Sequence, residues 1–310
     1  MITVIGETVA DTFVPAHQPT PGALDLRVRP GGGPANTAVA LGRLGAPVTF
    51  AGRIPAGPLG DLLRAYLSDS DVDLSRAVTA AEQATLALAA VDGDGHAQYS
   101  FYANGTADFQ WTTEELAAAT PSEAACVHAG SLALALEPSG PLIEKLLHER
   151  RTTTTISIDP NIRPGIVPAE RYRRLLPGWT SAADVFRLSS DDLAVLRPGA
   201  SLPQACDDWH ADGVRLVVIT CGADGAYASL DGQRFQVPAR PVTPVDTVGA
   251  GDAFTAGLLY RLHTGGALRE RLADLTPDLL IRALTFASDV AAETCRKQGA
   301  DPPRLADLAA

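Results

Sequence analysis

Short apolar, β-branched runs alternating with helix-like stretches constrain this chain more than any other feature. Strands are predicted at Ile2–Ile5, Val48–Ala51, Cys126–His128, Thr154–Ile158, Val185–Leu188 and Val214–Thr220. Between and after them lie helical patterns at Ala35–Leu44, Leu59–Leu67, Pro141–Arg150, Leu202–Ala211, Gly251–His263 and roughly 278–296. Leu216-Val217-Val218-Ile219 is apolar at every position, so neither face of that strand can meet water. A strand of this kind belongs inside a parallel sheet covered by helices on both sides. The β-α-β-α order therefore predicts an α/β sandwich. With 310 residues the chain is long enough for two domains, or for one large α/β domain carrying a smaller inserted element.

Two segments break the rhythm. Val9–Arg29 has few helix signals and runs into a Gly-rich turn. Thr85–Tyr102 alternates through Leu86, Leu88 and Ala90, turns at Asp92-Gly93-Asp94-Gly95, and resumes through Gln98-Tyr99-Ser100-Phe101, which is a hairpin signature. Together they predict a small β-layer standing off the main sheet. Tyr99, Phe101 and Tyr102 there serve either hairpin packing or contacts to a ligand.

The formal net charge is −11 and the pI about 4.9. Such a surface repels nucleic-acid backbones and anionic lipid. A nucleotide can still bind where amide dipoles, a metal ion or local arginines offset the field. The cysteines Cys126, Cys206, Cys221 and Cys295 have no metal-site or redox spacing, which fits a reducing cytoplasm. The N-terminus reads as a first strand, and no apolar run is long enough to span a bilayer. No histidines pair at zinc-motif spacing, so surface or packing roles are expected for all of them. Ser131 lies in no Gly-x-Ser-x-Gly elbow.

The strongest chemical signal is Asp246-Thr247-Val248-Gly249-Ala250-Gly251-Asp252-Ala253-Phe254, a small-residue turn opening an apolar helix. Backbone N–H groups at such a helix start, with the helix dipole, suit a phosphate or oxyanion. An Asp placed there can take a proton from a hydroxyl attacking that phosphate. The plainer alternative is a helix N-terminus with Asp252 complementing the dipole. A Walker A loop is excluded, because the only lysines, Lys145 and Lys297, follow no Gly-rich turn. A dinucleotide fingerprint would need Gly or Ala where Phe254 stands. The second signal is Gly31-Gly32-Gly33-Pro34-Ala35-Asn36. Its glycines allow close approach of backbone to a ligand, and Asn36 offers the donor and acceptor that sugar hydroxyls require. A simple turn and helix start, with Asn36 facing solvent, is the alternative.

These two regions, Gly31–Gly45 and Asp246–Leu259, resemble the signatures of the ribokinase-like (PfkB) carbohydrate kinases in order and separation. The resemblance runs over essentially the whole chain. It implies one ribokinase-like domain over residues 1–310, a three-layer α/β/α sandwich with a small β-sheet lid. The lid would be formed by segments at about 9–33 and 85–108. It implies Asp252 as catalytic base, Gly249, Ala250 and Gly251 as the anion hole, and Arg163 reaching toward the transferred phosphate. Arg163 lies in Asp159-Pro160-Asn161-Ile162-Arg163-Pro164, which is similar to the fructokinase and keto-deoxy-gluconate kinase branches. On the sugar side it implies Asp11, Gly31, Gly32, Gly33, Asn36 and the acidic Glu137. On the nucleotide side it implies Thr220, Gly222, Gly225 and Ser288.

Two departures stand out. The family's Asn-x-x-Glu appears as Ser189-Ser190-Asp191-Asp192, with Asp192 expected to reach magnesium through water. A Gly-Asp-Asp loop is replaced by Ile54-Pro55-Ala56-Gly57-Pro58, which removes an expected polar contact near the sugar or lid. Asp246 matches a potassium ligand. The implied activity is phosphorylation of a free sugar by ATP with Mg2+, and the Asp246 match adds K+ as a candidate ion. Fructose is the leading substrate, and 2-keto-3-deoxygluconate, ribose or a nucleoside are alternatives. A non-catalytic sugar or nucleoside sensor is the other class. The lid would offer a homodimer surface.

Overall fold

The computed structural model describes residues 1–14, 22–91 and 97–308. The chain opens with β1 (Ile2–Ile5), leaves it for β2 (Val9–Phe13) and β3 (Arg27–Gly31), and returns through α1 (Gly33–Arg43) to β4 (Val48–Ala51). Two short strands, β5 (Arg53–Pro55) and β6 (Val78–Ala80), bracket α2 (Pro58–Ser68). Then come β7 (Thr85–Val91), β8 (Ala97–Tyr102), a 3₁₀ turn at Ala107–Phe109 and α3 (Thr113–Ala119). Alternation follows: β9 (Cys126–Gly130), α4 (Leu132–Ala135), α5 (Ser139–Arg150), β10 (Thr155–Asp159), α6 (Ala169–Ala182), β11 (Val185–Ser189), α7 (Ser190–Leu196), α8 (Leu202–Asp212) and β12 (Leu216–Thr220). β13 (Ala226–Leu230), β14 (Gln233–Val237), α9 (Ala250–Thr264) and α10 (Pro277–Cys295) follow, with a 3₁₀ turn at Leu305–Leu308 after them.

Eight strands form the large sheet in the order β14-β13-β12-β11-β10-β9-β1-β4, parallel from β12 to β4 and antiparallel at the β13–β14 edge. β12 shows why helices must cover both faces. Leu216 and Val218 join the core shared with Leu258 of α9 and Leu284 of α10. Val217 and Ile219 join the opposite core, with Ile143 of α5 and Tyr172 and Trp179 of α6. Successive strand side chains point to opposite faces, so a strand apolar at every position has one core on each side.

The two off-rhythm segments pair with each other. β2 lies parallel to β7, with Val9 opposite Thr85 and Phe13 opposite Ala89, giving a four-stranded sheet in the order β3-β2-β7-β8. The expected turn at Asp92–Gly95 falls outside the described residues.

Element ends differ from the sequence expectation in two informative places. Val214 does not begin β12. Its N–H instead donates to Trp209 O and closes the end of α8. Asp159 is the last residue of β10 rather than part of the following loop, so its carboxylate is held by the sheet. Among the described residues no helix is long and apolar enough to cross a membrane.

Candidate active site

The carboxyl ends of β9 and β10 meet the N-termini of α1 and α9, the usual place for a ligand crevice in an open α/β sheet. The pocket there is lined by Gly33, Pro34, Thr37, His128, Gly130, Ser131, Asp159, Asn161 and Asp252.

Asp252 stands in the first turn of α9. Burial pushes its carboxyl up to about 7, and the nearby Asp159 adds to the shift. The Asn36 amide and the charges of Arg163 and Arg187 oppose it. Asn36 Nδ2 donates to Asp252 Oδ2 at 2.9 Å, which leaves Oδ1 toward Gly33. A Cβ on Gly33 would lie 3.3 Å from Asp252 Oδ1 and 2.5 Å from Asn161 Nδ2, so glycine keeps the space before the carboxylate open. A carboxylate with a pKa near neutrality is poised to accept a proton.

The turn before it is built for an anion. Gly249 has φ 77°, a left-handed conformation that glycine adopts without strain. A Cβ on it would also meet Ala300 Cβ at 2.5 Å. Thr247 O accepts the Ala250 N–H at 3.2 Å, while the Gly251 and Asp252 amides open the helix with no carbonyl one turn back to bond. Beneath this turn lies Arg187 of β11, which sequence reasoning missed. It pairs with Asp159 Oδ2 at 2.7 Å, and the two side chains are 7% and 6% exposed. It also donates to Thr220 Oγ1 at 2.7 Å, and Thr255 Oγ1 donates to Asp159 Oδ2 at 3.1 Å. A Cβ on Gly251 would sit 2.9 Å from Arg187 Nη1, so the turn rests directly on a buried guanidinium. The signal was present: Arg187 is the one charge within the otherwise apolar run Val185–Leu188.

On β2, burial pushes the Asp11 carboxyl up to about 6, opposed by the Arg163 charge. Gly31 leaves room for it, since a Cβ there would meet Asp11 Oδ2 at 2.1 Å. Gly32 precedes α1 as its N-cap. The Asn36 Oδ1 is buried with no hydrogen-bond partner among the described residues, an acceptor left for something else to satisfy. Arg163 is exposed, with its N–H on Tyr172 Oη and its Nη1 on Ile162 O, and its charge is felt by both Asp11 and Asp252.

Glu137 is not among the residues lining this pocket. It points outward, 67% exposed, and accepts from Arg171 Nη2 at 2.9 Å. The buried acidic group near Ser131 is instead Glu7, just past the end of β1. It accepts from Ala133 N at 3.0 Å, and burial pushes its carboxyl up to about 7. His128, expected in a surface or packing role, is buried in the pocket wall beside Ser157 Oγ, and burial lowers its pKa to about 4.

On the other side of the anion turn, Thr220 ends β12, Gly222 opens the 3₁₀ turn Gly222–Asp224, and Gly225 follows it. Ser288 Oγ accepts from Arg240 N at 3.2 Å, at the rim of a cavity of about 320 Å³ lined by Arg240, Pro241, Val242, Thr243, Val245 and Arg296. Asp246 bridges two loops by accepting from Val248 N at 3.1 Å and Gly299 N at 2.8 Å.

Asp192, expected toward magnesium, has both oxygens engaged locally. Oδ1 accepts from Ile162 N at 2.9 Å, and Oδ2 accepts from Ser189 N and Ser189 Oγ in a capping box. The Ser–Asp pair thus starts α7 and anchors the loop that carries Arg163. Among the described residues no group of three or more His, Cys, Asp or Glu is arranged to hold a metal ion.

Similarity to known proteins agrees with this geometry. The fructokinase of Rhizobium leguminosarum bv. trifolii is 34% identical over 87% of this chain and 82% of its own length. That of Klebsiella pneumoniae is 33% identical over 90% of each. The crystal structure of Xylella fastidiosa fructokinase with bound ATP superposes with a TM-score of 0.86 at 28% identity, covering 99% of this chain and 97% of that one. A Vibrio cholerae fructokinase double mutant, bound to fructose, ADP and potassium ion, gives 0.83 at 26% identity, covering 99% and 96%. Residues 1–306 match the pfkB family carbohydrate kinases. With the glycine turn, its buried arginine and Asp252 placed as described, this chain belongs to the pfkB family of carbohydrate kinases.

Proposed function

We propose that the protein is an ATP-dependent fructokinase that phosphorylates a primary hydroxyl of the free sugar. The observation that carries the reading is Asp252, a carboxyl raised to about 7 that lines the pocket between the anion turn and Asn36. The names of the relatives support fructose as the substrate.

In this reading Asp11, Asn36 and the Gly31–Gly33 backbone hold the sugar hydroxyls, and Asp252 takes the proton from the attacking oxygen as its bond to phosphorus forms. The Gly251 and Asp252 amides, with the guanidinium of Arg187 beneath them and Arg163 from the facing loop, meet the charge on the transferred group. Thr220, Gly222, Gly225 and Ser288 border the nucleotide. The donor set suits a magnesium ion carried in on phosphates and waters rather than held in a protein cage. Such an ion would neutralise charge on the phosphates when bound. Asp246, through its remaining lone pairs, is the candidate contact for potassium. Glu137 is left on the outer rim, and Asp192 supports the Arg163 loop.

The four-stranded sheet would act as a lid over the sugar, within one kinase domain spanning the chain. Its exposed Phe13 and Tyr102, with Leu24 and Leu26 just before β3, would offer a homodimer surface. The reaction belongs in the cytoplasm, where ATP is supplied. The test is ATP turnover across fructose, 2-keto-3-deoxygluconate, ribose and nucleosides, with and without potassium. A kcat/KM for fructose at least about tenfold above the others is expected, and a clear preference for another acceptor would replace fructose.

A further inference from the structure

The chain passes between the large sheet and the four-stranded sheet in four places: at residues 6–8, at Gly32, at 81–84 and at 103–106. One carboxylate, outside the pocket and unused by the chemistry above, binds three of these passages together. Asp108 sits in the 3₁₀ turn just after the chain leaves β8, and it is 0% exposed. Its Oδ1 accepts from Thr8 N at 2.7 Å and Thr8 Oγ1 at 3.1 Å. Its Oδ2 accepts from Thr85 Oγ1, the first residue of β7, at 2.6 Å. Thr85 Oγ1 also lies 2.7 Å from Thr106 Oγ1, which donates to Ala103 O at 3.0 Å. Ala107 N donates to Gln83 O at 2.9 Å, tying the same turn to the third passage.

The turn bearing Asp108 is in turn fixed to the body of the protein. Arg53 donates from Nε to Ala107 O at 3.1 Å and pairs with Glu82 at 2.8 Å and with Glu115 at the start of α3. Thr8 and Thr85 are 1% and 0% exposed, so water cannot replace the bonds they make to Asp108. Three residues after Thr8, on β2, stands Asp11. A rotation at Thr8 therefore moves Asp11 relative to Asn36 and Asp252, which sit on the main body.

We propose that the Asp108 carboxylate is the clasp of the lid hinge, a positioning residue that sets how β2 and Asp11 stand over the sugar. This rests on the reading of the pocket as a sugar site, and it assigns to residues remote from the reacting atoms a share of sugar affinity but none of nucleotide affinity.

The experiment compares Asp108→Ala, Asp108→Asn and Thr85→Val with wild type, measuring KM for sugar and for ATP separately, together with Tm. Asn can accept from Thr8 and donate to the Thr85 hydroxyl, so it serves as the conservative rescue. Asp108→Ala and Thr85→Val should raise the sugar KM about tenfold and leave the ATP KM within about twofold, with Asp108→Asn close to wild type. Where Asp108→Ala does not fold, Thr85→Val alone decides. An unchanged sugar KM, or both KM values rising together as Tm falls, overturns the proposal. If wild type phosphorylates none of the sugars, the functional reading fails instead, and the hinge is read by amide hydrogen exchange. Faster exchange confined to β2 and β7, with α9 unchanged, supports the clasp; exchange raised throughout the molecule, or nowhere, overturns it.

Discussion

Asn36 Nδ2 donates to Asp252 Oδ2 at 2.9 Å and thereby joins the first turns of α1 and α9, which are 216 positions apart in sequence. The two signature regions of the chain are thus physically one device. The amide holds one oxygen of the carboxylate and favours its charged form, while the other oxygen faces the pocket. Asn36→Ala should therefore raise the Asp252 pKa further. The acid limb of the kcat–pH profile should move to higher pH by about one unit. An acid limb that stays in place would separate the titrating group from this hydrogen bond.

The buried pair Arg187–Asp159 supports the anion turn from below. Arg187→Ala leaves the Asp159 charge buried without its partner, and a loss of about 3–5 kcal/mol in urea unfolding is expected. Combining Asp159→Asn with Arg187→Met should recover much of that stability but not turnover, since the guanidinium under Gly251 is still missing. Full activity in the double variant would reduce Arg187 to a packing role.

Arg163 differs in kind, being exposed and free to meet a ligand. Its charge acts on Asp11 and Asp252 alike, which places it electrostatically between the two ends of the pocket. Arg163→Ala should lower kcat more than it raises the KM for ATP, and Arg163→Lys should recover only part, because a point charge lacks the planar fork. Rapid-quench measurement of the chemical step decides the matter, and an unaltered step would remove Arg163 from the transfer.

Burial also makes stability depend on pH. Glu7 and Asp252 have carboxyls raised to about 7, against values near 4 in an unfolded chain. Near neutrality the folded protein binds more protons than the unfolded one, so its stability falls as pH rises through 7. Lowered His128 works in the opposite sense and offsets about 0.4 kcal/mol at pH 6.5, where half the unfolded chains still carry its proton, and almost nothing at pH 8.5. The ligand-free protein should be about 1 kcal/mol more stable at pH 6.5 than at pH 8.5. Asp252→Asn should remove about half of that difference in paired denaturant titrations.

The sheet was legible because its strands are apolar on both faces, as at Leu216–Ile219, and a sheet covered by helices on both sides buries such runs. The glycines and Asp252 were legible because small residues at a helix start leave backbone amides that an anion can meet. Arg187 and Glu7 were not read because each lies in or beside an apolar strand, and their value comes from partners distant in sequence: Thr220 and Gly251 for one, Ala133 for the other. Asp192 is a different case. Its position in a motif suggested metal, whereas the short side chain folds back to cap its own helix. Glu137 also came from a motif match, and its exposed carboxylate pairs with Arg171.

The central claim is that Asp252 is the base that accepts the sugar proton. Steady-state kinetics of Asp252→Asn at pH 8, with KM for sugar and ATP measured separately, tests it most directly. The change is nearly isosteric, and the expected result is a kcat lowered by about 10²–10⁴, with both KM values within about threefold of wild type. Turnover at the wild-type rate in that variant would contradict the account.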